Sequence, residues 1–395
     1  MKKIIWNIRQ VLVWPLIQVL KISYLFVERR NCDLDLHQVK KILIYAPMGI
    51  GNLVFFTPTL RAIRQRFPEA KITLLVRSIS CKELLQGTLL VDKVVLFPKA
   101  GVIKELKFVR NLRKERFHLL VSNFLGEGVF LTLLSIFGDI PYRVGHATSP
   151  GWKNAKDFIN NIKVTMEQSE HEIDRNLRLA YSLGVERHLV DKEPFVHIDE
   201  ESRKFAEKFL RKLKISDEDL LVGVQFGASA FWKQWSLDNF ADLCDRLIEE
   251  RRAKVMLFGA PSESGMAEYV VSKMRHVPIN IVGRTKIKEA AALIERCDLF
   301  ICNDSGLGKI AIAVNTPTLT VGGPTDKHRT GSWKEGHIDI WKDLPCSPCY
   351  TIGMKGLIKA QLCKDRKCLR SITVDDVMDS VAKLLKTTSL SCKKS

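Results

Sequence analysis

Short apolar runs alternate with helical stretches along this chain, and the whole alternation occurs twice. In the first half the strand-like runs are 42–45, 72–76, 94–97 and 119–121. The pattern starts again at 220–224 and continues through 299–302. Strands that alternate with helices predict a parallel sheet with helices on both faces. The sequence therefore predicts an α/β protein built from two Rossmann-like, doubly wound domains.

The length of the chain supports two domains. A single hydrophobic core stops growing at roughly 250–300 residues, and this chain has 395. The polar stretch 185–200, which contains Pro194, lies between the two patterns and is the predicted linker. We predict a membrane-surface segment at 1–31, an N-terminal domain at 32–190, a C-terminal domain at 191–385 and a tail at 386–395.

A large excess of positive charge indicates an anionic partner. The sequence holds 62 Lys and Arg residues against 44 Asp and Glu residues, which is a formal net charge of +18. Nucleic acid, a phospholipid surface and a phosphorylated small molecule all fit such a charge. The cations are scattered along helices, and the sequence carries no recognition helix, RNA-binding sheet or zinc-finger signature, so we expect no nucleic-acid partner.

The N-terminal segment indicates a membrane surface. Residues 4–27 are mostly apolar and include Trp6 and Trp14, with Lys and Arg residues around them. Arg9 and Pro15 interrupt the apolar run, and no small-residue cleavage site follows, so neither a transmembrane helix nor a signal peptide fits. We predict an amphipathic helix in the headgroup region. A helix packed on the protein's own surface is the alternative.

Three polar turns in the second half each follow a strand, and together they indicate a binding site. A turn that opens a helix offers free N–H groups and a positive helix end, and a lysine nearby can pair with phosphate. Carboxylates in such turns accept hydrogen bonds from sugar hydroxyls. Because the strands of such a sheet end at one crevice, we predict a site for a phosphate-linked sugar. The candidate residues are Gly227, Ser229, Lys233, Glu263, Asp304, Ser305, Gly306 and Lys309.

Each of these residues also has a plain structural interpretation. Ser305 suits a helix N-cap, Glu263 suits the first turn of a helix, and Lys233 suits a solvated loop. Three such coincidences at three successive strand ends are needed to explain all of them, which favours the binding site.

Four late cysteines form a candidate metal site. Cys346 and Cys349 form a Cys-x-x-Cys, and Cys363 and Cys368 follow. Four thiolates at this spacing can hold a structural zinc, and two local disulfides or four plain thiols are the alternatives. The other six cysteines are dispersed, and without an export signal we expect reduced thiols.

The order of these motifs resembles glycosyltransferase family 9, the ADP-heptose:lipopolysaccharide heptosyltransferases and their relatives. The resemblance covers roughly residues 40–385. It rests on Gly-x-Gly-Asn followed by Thr-Pro-x-Leu-Arg, Gly-Ala-Ser with Lys-x-Trp, Gly-Ala-Pro-Ser-Glu, Asp-Ser-Gly, Gly-Pro-Thr and Pro-Cys-x-Pro-Cys-Tyr. The resemblance implies a GT-B fold with a nucleotide-sugar donor, ADP-heptose or a related compound, held by the C-terminal half. It implies a lipid-anchored saccharide as the acceptor, met by the N-terminal half.

The resemblance also assigns roles to single residues. Lys233 matches the phosphate-contacting lysine of the family, and Glu263 matches its ribose-binding acid. Asp304, with Ser305 and Gly306, matches the sugar and phosphate contacts. The glycine loop with Gly49 and Gly51 is the acceptor-side loop.

Two positions depart from the family pattern. The glycine loop of the family usually carries an Asp, taken as the base of a single inverting displacement, where this chain has Asn52, and an amide cannot accept a proton at pH 7. The usual His of Asp-Ser-Gly-x-x-His is Lys309. Three accounts follow: Glu127 is the base, or Asn52 only orients the acceptor while the neutralised pyrophosphate leaves, or the protein binds without turnover.

We therefore expect an inverting, metal-independent glycosyltransferase that needs no cofactor and lies on the inner face of the cytoplasmic membrane. A catalytically inactive nucleotide-sugar-binding or membrane-surface protein is the alternative. A dinucleotide-dependent dehydrogenase does not fit, because Gly49-x-Gly51 is followed by Val54 rather than a third glycine. The strand at 72–76 moreover ends in Arg77 and not in an acid.

Overall fold

The computed structural model describes residues 35–98, 101–123, 129–147, 159–167, 170–351 and 354–391. The predicted membrane-surface segment 1–31 and the candidate base Glu127 lie outside these residues. The described chain forms two units that divide between Lys192 and Glu193, and the first turn of one helix, Ile50–Phe55, groups with the second unit.

The first unit is a six-stranded parallel sheet with the strand order β3-β2-β1-β4-β5-β6. Its strands are β1 (Lys41–Tyr45), β2 (Lys71–Val76), β3 (Lys93–Leu96), β4 (Leu119–Ser122), β5 (Tyr142–Ala147) and β6 (Ile162–Thr165). Its helices are α1 (Ile50–Arg66), α2 (Ile79–Leu85), α3 (Gly101–Lys114), α4 (Val129–Phe137) and α5 (Glu172–Tyr181). The central strand β1 is almost wholly apolar and buried, as expected of a parallel strand covered on both faces.

The second unit repeats this plan with the strand order β12-β11-β10-β7-β8-β9, all parallel. Its strands are β7 (Leu221–Gln225), β8 (Lys254–Leu257), β9 (Ile279–Asn280), β10 (Leu299–Asn303), β11 (Thr318–Val321) and β12 (His337–Ile340). Its helices are α6 (Glu200–Lys212), α7 (Leu237–Arg251), α8 (Ser264–Lys273), α9 (Ile287–Glu295), α10 (Gly306–Ala313), α11 (Lys327–Thr330), α12 (Met354–Leu362), α13 (Lys367–Arg370) and α14 (Val374–Ser391).

The two parallel sheets confirm the predicted fold class. Among the described residues, no helix is both long and apolar enough to cross a membrane. Helix α14 continues to Ser391, and the predicted tail at 386–395 stays a prediction. The linker stretch holds a short 3-10 helix at Arg187–Leu189, and α6 begins at Glu200.

Candidate active site

The candidate site lies at the carboxyl edge of the second sheet. Strands β10, β7 and β8 are neighbours in that order, so the turns that follow them meet at one edge. These turns begin at Asp304, Phe226 and Phe258. Asn303 ties two of them together, because its side-chain amide donates to the carbonyl oxygen of Phe226 at 2.6 Å and its amide oxygen accepts from the backbone N–H of Trp235 at 2.9 Å.

Two glycines make room for the carboxylate of Glu263. A Cβ on Gly227 would overlap one carboxylate oxygen of Glu263, and a Cβ on Gly259 would lie 2.8 Å from the other. The same carboxylate accepts a hydrogen bond from the backbone N–H of Ala260 at 2.7 Å. Burial raises the pKa of Glu263, and the Ala260 hydrogen bond opposes this. Gly227 and Gly259 therefore leave the space in which the Glu263 carboxylate lies against the backbone.

A buried carboxylate sits between two lysines. Asp304 is 5% exposed, and one of its oxygens lies 2.7 Å from the ammonium of Lys233 while the other lies 3.6 Å from that of Lys309. Burial alone would raise the pKa of Asp304, but the two lysines outweigh it and hold that pKa well below its usual range. Two ammonium groups and one carboxylate leave a net positive charge at this point.

The start of helix α10 adds to the positive field. The Ser305 hydroxyl caps the helix by accepting from the backbone N–H of Gly308 at 3.3 Å. The ammonium of Lys309 is buried, and within the described part of the chain it has no hydrogen-bond acceptor. A buried cation that keeps unused donors beside a helix N-terminus is suited to an anion.

The first turn of α1 packs on this helix start. A Cβ on Gly306 would lie 3.0 Å from the Cβ of Ile50, and a Cβ on Gly51 would lie 3.3 Å from the Cγ of Lys309. The Lys309 ammonium lies 5.6 Å from the centre of the Phe55 ring. Gly51 and Gly306 therefore permit a close backbone approach, whereas nothing lies within 4 Å of a Cβ on Gly49.

The remaining predicted residues are placed differently. Asn52 is exposed on the first turn of α1, and Ser229 is exposed in the turn after β7. Asn303, which is fully buried, was not among the predicted site residues. A polar residue at the end of an apolar strand and directly before Asp-Ser-Gly was the available signal for it.

The late cysteines are free thiols. Eight of the ten cysteines lie in the described part, and all eight are free, so the alternative of two local disulfides is not formed. Burial raises the pKa of Cys368 to about 11, and the charges of Cys349, Cys363 and Cys346 act in the same direction. Within the described ranges no group of three or more His, Cys, Asp or Glu side chains is placed to hold a metal ion. A structural zinc stays a prediction.

Two doubly wound units with a polar site at the carboxyl edge of the second sheet match the GT-B fold. The sequence matches the family described as glycosyltransferase family 9 (heptosyltransferase) over residues 108–355. The chain therefore belongs to glycosyltransferase family 9, which confirms the resemblance of its motifs and makes the protein a glycosyltransferase.

Comparisons with single proteins agree with this. Lipopolysaccharide heptosyltransferase 3 of Escherichia coli is 26% identical over 354 residues, which cover 85% of this chain and 95% of that protein. A family 9 glycosyltransferase structure from Veillonella parvula superposes with a TM-score of 0.74 at 21% identity, over 90% of this chain and 99% of that one. The ADP-heptose LPS heptosyltransferase II of E. coli superposes with a TM-score of 0.69 at 21% identity, over 88% and 99%.

Proposed function

We propose that this glycosyltransferase moves a heptose, or a closely related sugar, from ADP-heptose to a lipopolysaccharide core or similar lipid-linked saccharide. The observation that carries the proposal is the buried Asp304 with its two lysines at the start of α10. The names of the relatives, which are lipopolysaccharide heptosyltransferases, support the donor and the acceptor.

The net positive charge of the Lys233–Asp304–Lys309 group, beside the N-terminus of α10, supports a diphosphate ligand. Lys233 and Lys309 pair with the phosphate oxygens of the donor, and the free N–H groups at the start of α10 donate hydrogen bonds to the remaining phosphate oxygens. The Glu263 carboxylate lies at the neighbouring strand end and accepts hydrogen bonds from two ribose hydroxyls. The Asp304 carboxylate holds both lysines in place and accepts from a hydroxyl of the transferred sugar.

The chemical step is an inverting single displacement at the anomeric carbon. The acceptor oxygen forms a bond to that carbon as its bond to the diphosphate oxygen breaks, and ADP leaves with the bonding pair. The two ammonium groups and the helix end neutralise the charge that develops on the leaving phosphate. We assign this work to the lysines, so the reaction needs no divalent metal and no cofactor.

The proposal has two forms, which differ in the group that takes the proton of the acceptor hydroxyl. In the first form Asn52 orients the acceptor hydroxyl by a hydrogen bond, and because an amide cannot remove the proton, the proton passes to water or to the departing diphosphate. Glu127, which lies outside the described residues, is the candidate base. A nucleotide-sugar-binding or membrane-surface protein without turnover is the second candidate function, and Asn52 at the position of the usual Asp favours it.

We also place the enzyme on the cytoplasmic face of the membrane, with an anionic lipid surface and no nucleic acid among its partners. The net charge of +18 and the apolar, Trp-containing segment at 4–27 support this.

Calorimetric titration with ADP-heptose, ADP, UDP and NAD tests the donor site. We expect ADP and ADP-heptose to bind and Lys233→Ala to weaken both by about 10-fold to 100-fold, since a charge-assisted hydrogen bond contributes roughly 1.5–3 kcal/mol. Lys254→Ala is the control, because Lys254 begins β8 at the opposite edge of the sheet and lies 4.0 Å from Asp219. If none of these ligands binds the unmodified protein, the transferase proposal fails. Binding without turnover on any lipid-linked saccharide favours the second candidate function.

A further inference from the structure

Helix α3 of the first unit carries an exposed stripe of cations. The helix buries Glu105, Val109 and Leu112 on its inner side. Positions three, four and seven residues apart share one side of a helix. The exposed stripe consists of Ile103, Lys104, Lys107, Arg110, Asn111 and Lys114.

This stripe has no counter-charge of its own. Glu105 is the only acid of α3, and it is buried. Arg113 pairs with Asp139 at 3.2 Å. Within the described part of the chain, the ion pairs of this region are Lys93–Glu115 and Arg113–Asp139, and none involves the four stripe cations Lys104, Lys107, Arg110 and Lys114.

Helix α6 of the second unit shows the usual arrangement for comparison. Its exposed side mixes both signs of charge, because it also carries Glu200, Glu201 and Glu207. Arg203 pairs with Glu295, and Lys204 lies 3.5 Å from Glu200. The two helices have nearly the same length, so α6 is a matched reference for a solvated helix.

Exposed apolar side chains lie at the same end of the unit as the start of α3. Ile103 is 83% exposed in the first turn of the helix. Leu96 ends β3, pairs in register with Val76 at the end of β2, and is exposed, as is Ile79 three residues beyond Val76. The carboxyl edge of the first sheet therefore presents apolar side chains next to cations.

We propose that the α3 stripe, including its apolar member Ile103, docks on an anionic lipid bilayer. Unpaired lysines and arginines are attracted to anionic headgroups without a fixed geometry, and an exposed isoleucine among them can enter the headgroup boundary. An isolated apolar side chain has no such use against a nucleic-acid backbone. The inference rests on the proposed function, in which the acceptor saccharide is lipid-linked, and it names the surface that reaches that lipid.

Vesicle partition of the full chain tests the surface. The variant Lys104→Glu/Lys107→Glu/Arg110→Glu is compared with Lys204→Glu/Lys208→Glu/Arg211→Glu on α6, which changes the net charge by the same amount. Each cation near an anionic surface contributes about 1 kcal/mol, so we expect the α3 variant to lose about 100-fold or more in partition to phosphatidylethanolamine–phosphatidylglycerol vesicles. The α6 variant should partition to these vesicles almost as well as the unmodified protein. Neither the unmodified protein nor either variant should bind vesicles of pure phosphatidylcholine.

Three results would overturn the inference. The α3 and α6 variants could partition equally, which would assign lipid binding to residues outside the stripe, such as 1–31. The unmodified protein could bind phosphatidylcholine as well as the anionic vesicles. The unmodified protein could also bind single- or double-stranded nucleic acid more tightly than vesicles, and the α3 variant could lack this nucleic-acid binding.

Folding and donor binding are checked on the same samples. Circular dichroism and the affinity for ADP should be unchanged in the α3 variant, because α3 contributes nothing to the candidate active site. The milder Lys104→Gln/Lys107→Gln/Arg110→Gln variant gives an intermediate loss if charge is the cause. Loss of vesicle binding with ADP binding intact supports the surface, whereas vesicle binding without any ADP binding refutes the transferase proposal and leaves the surface standing.

Discussion

The carboxyl edges of the two sheets differ in the charge of their buried polar side chains. In the first unit, β4 is followed by Asn123 and β5 contains His146, both buried. Burial, with the charges of Arg175 and Arg178 behind it, lowers the pKa of His146 to about 3, so both of these buried side chains are neutral at pH 7. In the second unit the edge holds Asp304 and two lysines. The same sheet topology therefore carries neutral buried side chains at the carboxyl edge of the first unit and charged ones at that of the second. Only the charged group in the second unit suits a diphosphate.

The first prediction removes the carboxylate of the charged edge. Asp304→Asn leaves the ammonium groups of Lys233 and Lys309 buried without their counter-charge, so we expect a loss of about 3–5 kcal/mol in the free energy of unfolding. Denaturant unfolding followed by circular dichroism measures it. Asp199→Asn is the control, since Asp199 pairs with Lys288 at a half-exposed site and should cost less than about 1 kcal/mol. If both variants lost the same free energy of unfolding, Asp304 would not be the counter-charge that stabilises the two buried lysines.

The second prediction displaces the acid held by the glycines. In Gly227→Ala the new Cβ overlaps the Glu263 carboxylate, which must move, so we expect the affinity for ADP to fall by about 10-fold or more. Isothermal titration measures the affinity. Gly265→Ala is the control, because nothing lies within 4 Å of a Cβ there. An unchanged affinity in Gly227→Ala would remove Glu263 from the proposed ribose contacts.

The third prediction concerns acid sensitivity at the neutral edge. The folded-state pKa of His146 lies below its unfolded value of about 6.5, so the unfolded chain binds the proton first and stability falls as pH drops from about 6.5 towards 3. His146 contributes up to about 1.4 kcal/mol per pH unit in this window. His146→Gln should flatten the curve of unfolding free energy against pH.

The same substitution at an exposed site, His188→Gln, is the matched control for this curve. His337 keeps a slope of the same sign in all variants, since burial lowers its pKa to about 4. The pKa of Asp304 is lowered as well, so its contribution to stability is kept down to the ordinary Asp pKa of about 3.9 and is lost below it. An unchanged slope in His146→Gln would mean that His146 is not neutral and buried in solution.

The fourth prediction concerns the exposed Asn52. If Asn52 orients the acceptor hydroxyl, Asn52→Ala lowers the transfer rate by about 10-fold, the equivalent of one hydrogen bond, and leaves ADP affinity unchanged. A coupled ADP-release assay with a lipid-linked saccharide measures the rate. Asn52→Asp restores the carboxylate that is usual in the family and should equal or exceed the unmodified protein. If Asn52→Ala left the transfer rate unchanged, Asn52 would not orient the acceptor hydroxyl.

The predicted strands of the first half all occur in the structure, but two strands of the first unit were not predicted. The strands β1 to β4 are apolar runs and can be recognised by composition. Strand β5 contains the buried Arg143, which donates to the carbonyl oxygens of Ile159 and Ile140. From the sequence alone an arginine is expected at the surface, because its buried hydrogen-bond partners are not visible there. No local pattern therefore indicated strand β5.

The sequence by itself determined the doubled α/β plan, the turns at the strand ends and the residue types of the candidate site, because hydrophobic periodicity and turn chemistry are local properties. Only the tertiary structure decided that Lys233 and Lys309 share one buried carboxylate, and that Gly227 and Gly259 hold Glu263 between them. Those contacts join residues far apart in the chain. Their burial and charge balance depend on how the strand ends meet in space.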